Sequence, residues 1–156
     1  MYATTLEKKI TRYVNKFGVH RAKCTKYEFA YYPHNNSITF SILRFPDDQE
    51  FIDHIKEKFN IDISDWYFIF SLLHEIGHKQ TLPRLKEDDI KADIIGRSVL
   101  SLMEHDNKAY FNLPSEYAAN AWAVDYLLNH VEECWNFQMK CLKIIQHIYK
   151  KKSFPY

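Results

Sequence analysis

The chain moves between two hydrophobic rhythms. From Thr4 to Phe17 the apolar residues Leu6, Ile10, Tyr13, Val14 and Phe17 recur every three or four positions, the period of a helix buried along one side. Thr4-x-x-Glu7 reads as a capping box opening that helix, and Gly18 as its stop. The period then shortens to two. Tyr27, Phe29 and Tyr31 alternate with other residues, as do Ile38, Phe40 and Ile42, and Pro33-His34-Asn35-Asn36 supplies turn residues between them. This predicts strands over 25–32 and 37–43 joined as a β-hairpin.

After the hairpin the helical period returns and persists. A helix from Asp47 to Phe59 turns Phe51, Ile52, Ile55 and Phe59 inward. A strongly apolar helix follows over 65–80, with Pro83 barring its continuation. A helix over 86–104 has Ile90, Ile94, Val99, Leu102 and Met103 as its apolar positions. Pro114 and Ser115 punctuate the start of a helix over 115–129, and 131–151 closes the chain with Trp135, Leu142, Ile145 and Ile148 at helical spacing. Strands do not alternate with helices as a parallel sheet requires. The expected architecture is therefore α+β, in one domain spanning 1–156: a small antiparallel sheet packed against a mostly helical layer.

Composition narrows the class. The chain is 46% hydrophobic and 16% aromatic, enough for a substantial core, and three glycines and five prolines argue against a linker-rich chain. A formal net charge of +1 gives no general attraction to nucleic acid or anionic membrane, so direct nucleic-acid binding is not expected. Cys24, Cys134 and Cys141 are too few and too scattered for a disulfide framework; Cys134 and Cys141, on one helical face, are core residues. Lys150-Lys151-Lys152 reads as a solvated helix end. The N-terminus lacks an apolar signal core and no stretch is apolar enough to span a bilayer, so the expected compartment is cytoplasmic.

One pentapeptide carries chemistry. His74-Glu75-Ile76-Gly77-His78 places two imidazoles four residues apart, on one face of a helix, where both can reach one tetrahedral Zn²⁺. Glu75 is then placed as general base rather than ligand. Such a centre needs a third ligand. Glu116, in the first turn of the helix over 115–129, is the leading candidate; Glu104, His105 and Asp106 are its rivals, and His105 would make a three-histidine site. Asn120 shares a helix face with Glu116 and can hydrogen-bond a ligand histidine to fix its tautomer. Ala119 and Ala123 keep that face small enough for close approach of a second helix, and Gly77 can serve the same end. Donors for a developing oxyanion would come from Tyr110, Tyr117, Tyr126 or His105.

Glu116-x-x-Ala119-Asn120-x-Trp122-Ala123, followed by Leu127-Leu128, resembles the second-helix signature of the ImmA/IrrE family of metallopeptidases, with Trp122 where Phe is commoner. The likeness spans roughly residues 65 to 130, with a longer interval between the two motifs that leaves room for an inserted helix. The resemblance implies a zincin-like fold of gluzincin type, with Zn²⁺ held by His74, His78 and Glu116. It also implies an endopeptidase that cuts a helix-turn-helix transcriptional repressor to release a mobile element or stress response. An extended peptide would lie along a sheet edge, for which the strand over 37–43 is the candidate. Two other readings are a catalytically silent regulatory protein on the same fold, and a three-histidine protease acting on DNA-associated proteins.

Overall fold

The computed structural model describes residues 2–43, 48–103 and 106–156. Helix α1 (Tyr2–Asn15) buries Leu6, Ile10, Tyr13 and Val14, the stripe read from the sequence. The capping box does not form. Thr4 lies inside the helix, and Glu7 Oε1 accepts the Cys24 backbone N–H at 2.9 Å, tying α1 to the first strand. Gly18 follows the helix with φ of 82°, a left-handed conformation suited to glycine.

The sheet is mixed rather than antiparallel. Its strands, β1 (Arg21–Thr25), β2 (Ala30–Tyr32) and β3 (Ser37–Ser41), lie in the order β1-β3-β2. β2 and β3 form the expected hairpin, with Tyr31 opposite Ile38. β1 runs parallel to β3, from Arg21 opposite Ser37 to Thr25 opposite Ser41. The expected run over 25–32 is broken, since 26–29 leave the sheet and Tyr27 is exposed. β1 is inconspicuous in the sequence because its buried side chains are small: only Ala22 and Cys24 face inward, between Arg21 and Lys23. The strand over 37–43 is not an edge, because β3 is paired on both sides; β2 ends the sheet instead.

Helix α2 (Asp48–Phe59) buries Ile52 and Ile55; Asp47 lies outside the described residues. A 3₁₀ turn over Ser64–Trp66 leads into α3 (Tyr67–Thr81), and a second, Leu82–Arg84, carries Pro83. Then come α4 (Glu87–Leu102), α5 (Asn107–Phe111), α6 (Pro114–Asn129) and α7 (Val131–Lys151). α3 is the spine: every residue from Phe68 to Gly77 is buried. α6 packs along it with Glu116, Ala119, Asn120, Ala123 and Leu127 inward, and α7 closes over α1 with Cys134, Cys141, Ile145 and Ile148. The three cysteines are free and buried. Among the described residues no helix is long and apolar enough to cross a membrane.

Two helix starts are closed by side chains from elsewhere in the chain. The first backbone N–H groups of a helix have no partner within it. In α3 the Ile69 N–H donates to Gln138 Oε1 of α7 at 3.1 Å, and Gln138 Nε2 donates to the Asp65 carbonyl at 2.8 Å. In α6 the Ser115 N–H donates to Asp93 Oδ1 of α4 at 2.9 Å. Both helices that carry the sequence motifs are therefore fixed at their N-termini by tertiary contacts.

α4 differs from expectation. None of its residues is buried, and Ile90, Ile94, Ile95, Val99, Leu102 and the following Met103 are all exposed. The side turned to the rest of the chain presents Asp93, Gly96 and Arg97 instead.

Candidate metal centre

The site forms where α3 and α6 touch. A Cβ added to Gly77 would stand 2.5 Å from the Ala119 carbonyl oxygen and 3.0 Å from Ala119 Cα, so the two helices meet backbone to backbone. That contact brings the first turn of α6 alongside the histidine pair of α3. The small residues noted in the sequence, Gly77 and Ala119, are the two that meet.

His74 and His78 turn their Nε2 atoms toward each other, 3.1 Å apart. Glu116 Oε2 lies 2.9 Å from His74 Nε2 and 3.3 Å from His78 Nε2. Glu75 stands off, its nearer oxygen 3.8 Å from His74 Nε2. One donor atom each from His74, Glu75 and His78 falls within 4.8 Å of the others, a group that could hold a metal ion. The shorter distances from Glu116 to both imidazoles make it the better third donor. Ligand atoms at tetrahedral corners about 2.0–2.1 Å from a metal are roughly 3.3–3.4 Å apart. The triangle of His74, His78 and Glu116 is close to that size. Three acceptor-capable atoms crowded so closely fit a shared cation.

The surroundings orient the donors. Asn120 Oδ1 accepts a hydrogen bond from His74 Nδ1 at 2.6 Å, which turns Nε2 to the centre, where it donates to Glu116 when protonated and offers a lone pair to a cation that displaces the proton. The His74 ring also packs in a T-shaped contact with Phe51, with centroids 5.7 Å apart. Burial works against protonation of His74, but the Glu116 and Glu75 carboxylates overrule it and hold its pKa at about 9. Burial likewise opposes ionisation of Glu116, yet hydrogen bonds from His74 and His78 keep it well below the usual carboxylate range. Glu75 is pushed the other way, upward, chiefly by burial; the charges of His74 and His78 moderate the shift. The two carboxylates of the site are thus shifted in opposite directions.

A cleft of about 350 Å³ opens over these groups, with His74, Glu75 and Glu116 on its wall and Phe29, Tyr67 and Phe111 among its aromatic lining. Tyr110 lines it too. Burial, then the nearby Glu116 carboxylate, pushes the Tyr110 phenol up to about 12, so it keeps its proton near neutral pH. The other tyrosines considered as donors are elsewhere: Tyr117 stacks on Phe59, and Tyr126 on Trp122 and His130. Among the rival ligands, Asp106 caps α5 by accepting the Ala109 N–H at 3.0 Å, while Glu104 and His105 lie outside the described residues.

Two residues of the site carry no motif signal. Arg97 Nη2 donates to Glu116 Oε1 at 2.9 Å and to Ser115 Oγ at 2.8 Å, while Arg97 Nε donates to Asp93 Oδ2 at 2.8 Å. Asp93 and Arg97 are four apart on α4, a spacing that in sequence reads as an ordinary surface ion pair. No family model, no curated protein and no solved structure matches the chain.

Proposed function

We propose that the protein is a zinc-dependent endopeptidase of gluzincin type, with His74, His78 and Glu116 as ligands and Glu75 as general base. One observation carries this reading. Glu116, from a helix far along the chain, brings a single carboxylate oxygen to 2.9 and 3.3 Å from the two imidazole nitrogens of a His-Glu-x-x-His helix. A zinc ion held there supplies Lewis acidity, polarising a peptide carbonyl and making water more acidic. The donor set of two imidazoles and one carboxylate suits zinc.

The chain's own groups do the rest. Glu75, buried and with its pKa raised, takes the proton of the attacking water and passes it to the departing amine. Asn120 keeps His74 in the tautomer whose Nε2 carries the lone pair. Tyr110, protonated and on the cleft wall, donates to the oxygen that becomes negative. An extended substrate pairs with the outer edge of β2, next to the 27–29 segment that lines the cleft. The zincin-like fold, the ImmA/IrrE kinship and a cytoplasmic helix-turn-helix repressor as substrate complete the proposal, supported by the motif pair in α3 and α6.

Glu75→Gln tests the chemistry: the variant is expected to keep one zinc per chain by elemental analysis and to lose peptide hydrolysis. Full hydrolysis by Glu75→Gln removes the base from the mechanism. A repressor encoded beside this protein, left intact after incubation with the zinc-loaded enzyme, counts against the substrate.

A further inference from the structure

The Glu116 carboxylate has two oxygens with different fates. Oε2 faces the imidazole pair, while Oε1 is held by Arg97. The guanidinium is itself immobilised, because Arg97 Nε donates to Asp93 Oδ2 and Arg97 Nη2 also donates to Ser115 Oγ. Asp93 in turn receives the Ser115 N–H with its other oxygen. The Tyr110 ring covers the guanidinium at 5.4 Å from its centroid. Three side chains, from α4, α5 and α6, thus hold the one guanidinium that binds this carboxylate oxygen.

The geometry points to Arg97 as the residue that positions Glu116, restricting it to donate through a single oxygen toward His74 and His78. This rests on the reading of those three residues as a metal centre. Glu116 is almost fully buried, so without Arg97 its Oε1 would lose its charged partner in a place water scarcely reaches. The carboxylate would then turn freely, offering both oxygens to the centre or withdrawing one. Only a planar fork can serve Asp93, Ser115 and Glu116 together; a lysine ammonium has the charge without that geometry. α4, which interrupts the interval between the two motifs, is thereby a working part of the centre and not a spacer.

The test compares wild type with Arg97→Ala, Arg97→Lys and, as a site control, His74→Ala. Zinc affinity is measured by competition with a chromophoric chelator, the Co²⁺-substituted forms are compared by visible absorption, and the metal-free proteins are melted. Wild type is expected to take one ion. Arg97→Ala should bind zinc about 10–100-fold more weakly, the usual loss when a ligand's own hydrogen-bond partner is removed, with altered Co²⁺ bands. Arg97→Lys should recover part of the affinity. If Arg97→Ala does not fold, Arg97→Met keeps the side-chain stem without its donors, and the same loss is expected. Wild-type affinity and an unchanged Co²⁺ spectrum in the Ala or Met variant would overturn the positioning role while leaving the metal centre standing. Wild type that takes no ion overturns both together.

Discussion

Helices α3 and α4 are nearly equal in length, 15 and 16 residues, and both send side chains to the same site. They are held in opposite ways. α3 is buried over ten consecutive residues, from Phe68 to Gly77, with His74 among them and the half-buried His78 directly after. α4 has no buried residue and is held along one side, by the Asp93–Arg97 clamp on α6 and by the contact of Gly96 with Leu113. The difference teaches how a site can divide its labour. The groups that must not move come from the part of the chain whose burial makes motion costly. The group that orients one of them comes from a helix attached by a few polar bonds.

The sharpest way to break that comparison is to truncate one side chain in each helix. Leu72→Ala in α3 removes a fully buried side chain and should destabilise by about 2–5 kcal/mol. Ile95→Ala in α4 removes one that is 62% exposed and should change stability by no more than about 0.5 kcal/mol. Urea denaturation of both variants decides it; comparable losses would show that α4 is packed as tightly as α3.

Glycine gives a finer contrast. In each helix, Gly→Ala gains about 1 kcal/mol of helix propensity. At Gly77 the new methyl would meet Ala119 backbone, which cannot yield without parting α3 from α6, so a net loss of about 1–3 kcal/mol is expected, together with weaker metal binding. At Gly96 the obstacle is the end of the Leu113 side chain, 2.5 Å away, which can rotate aside. Gly96→Ala should therefore be neutral or stabilising. Thermal melts of the two variants with opposite signs sustain the contrast, and matching signs dissolve it.

The smallest expected effect is on the clamp itself. Burial alone would raise the Asp93 pKa, but hydrogen bonds from Ser115 and Arg97 overrule it and hold the pKa below its ordinary value of 3.8. The contribution of Asp93 is then complete above that value and is lost as pH falls through the lower pKa of the folded protein. Asp93→Asn should cost about 1 kcal/mol at pH 7, typical of a lost helix cap, and the gap from wild type should close under strong acid. A gap that is unchanged from neutral to acid pH means that the Asp93 charge does not hold α4 to α6.

How much of this was legible beforehand follows the same division. α3 and α6 were plain, because the histidine spacing, the glutamate and the small residues are local patterns whose reason is helical geometry. Asn120 and Glu116 arrive at His74 as their positions implied. β1 was hidden because alanine and cysteine are weak hydrophobic markers between charged residues, and a parallel partner for β3 leaves no trace in the run of side chains. Arg97 was hidden for a different reason. Its spacing to Asp93 looks like any solvated pair, and only the approach of α6 makes it a partner of Glu116. The apolar residues of α4 pointed the wrong way: hydrophobic positions imply a buried face only when something covers them, and here they remain open to solvent.

The contact of Gly77 with Ala119 sets more than a packing distance. Where two helices touch through main-chain atoms, the distance between their backbones is fixed and the side chains must meet any ion across that set span. In the proposed zinc centre, an ion held at about 2.0–2.1 Å would suit that span. One such as Ca²⁺, which takes oxygen at about 2.3–2.6 Å and prefers six or more neighbours, would have to prise the helices apart. Discrimination by ionic radius would then originate in the one residue of the pentapeptide that has no side chain.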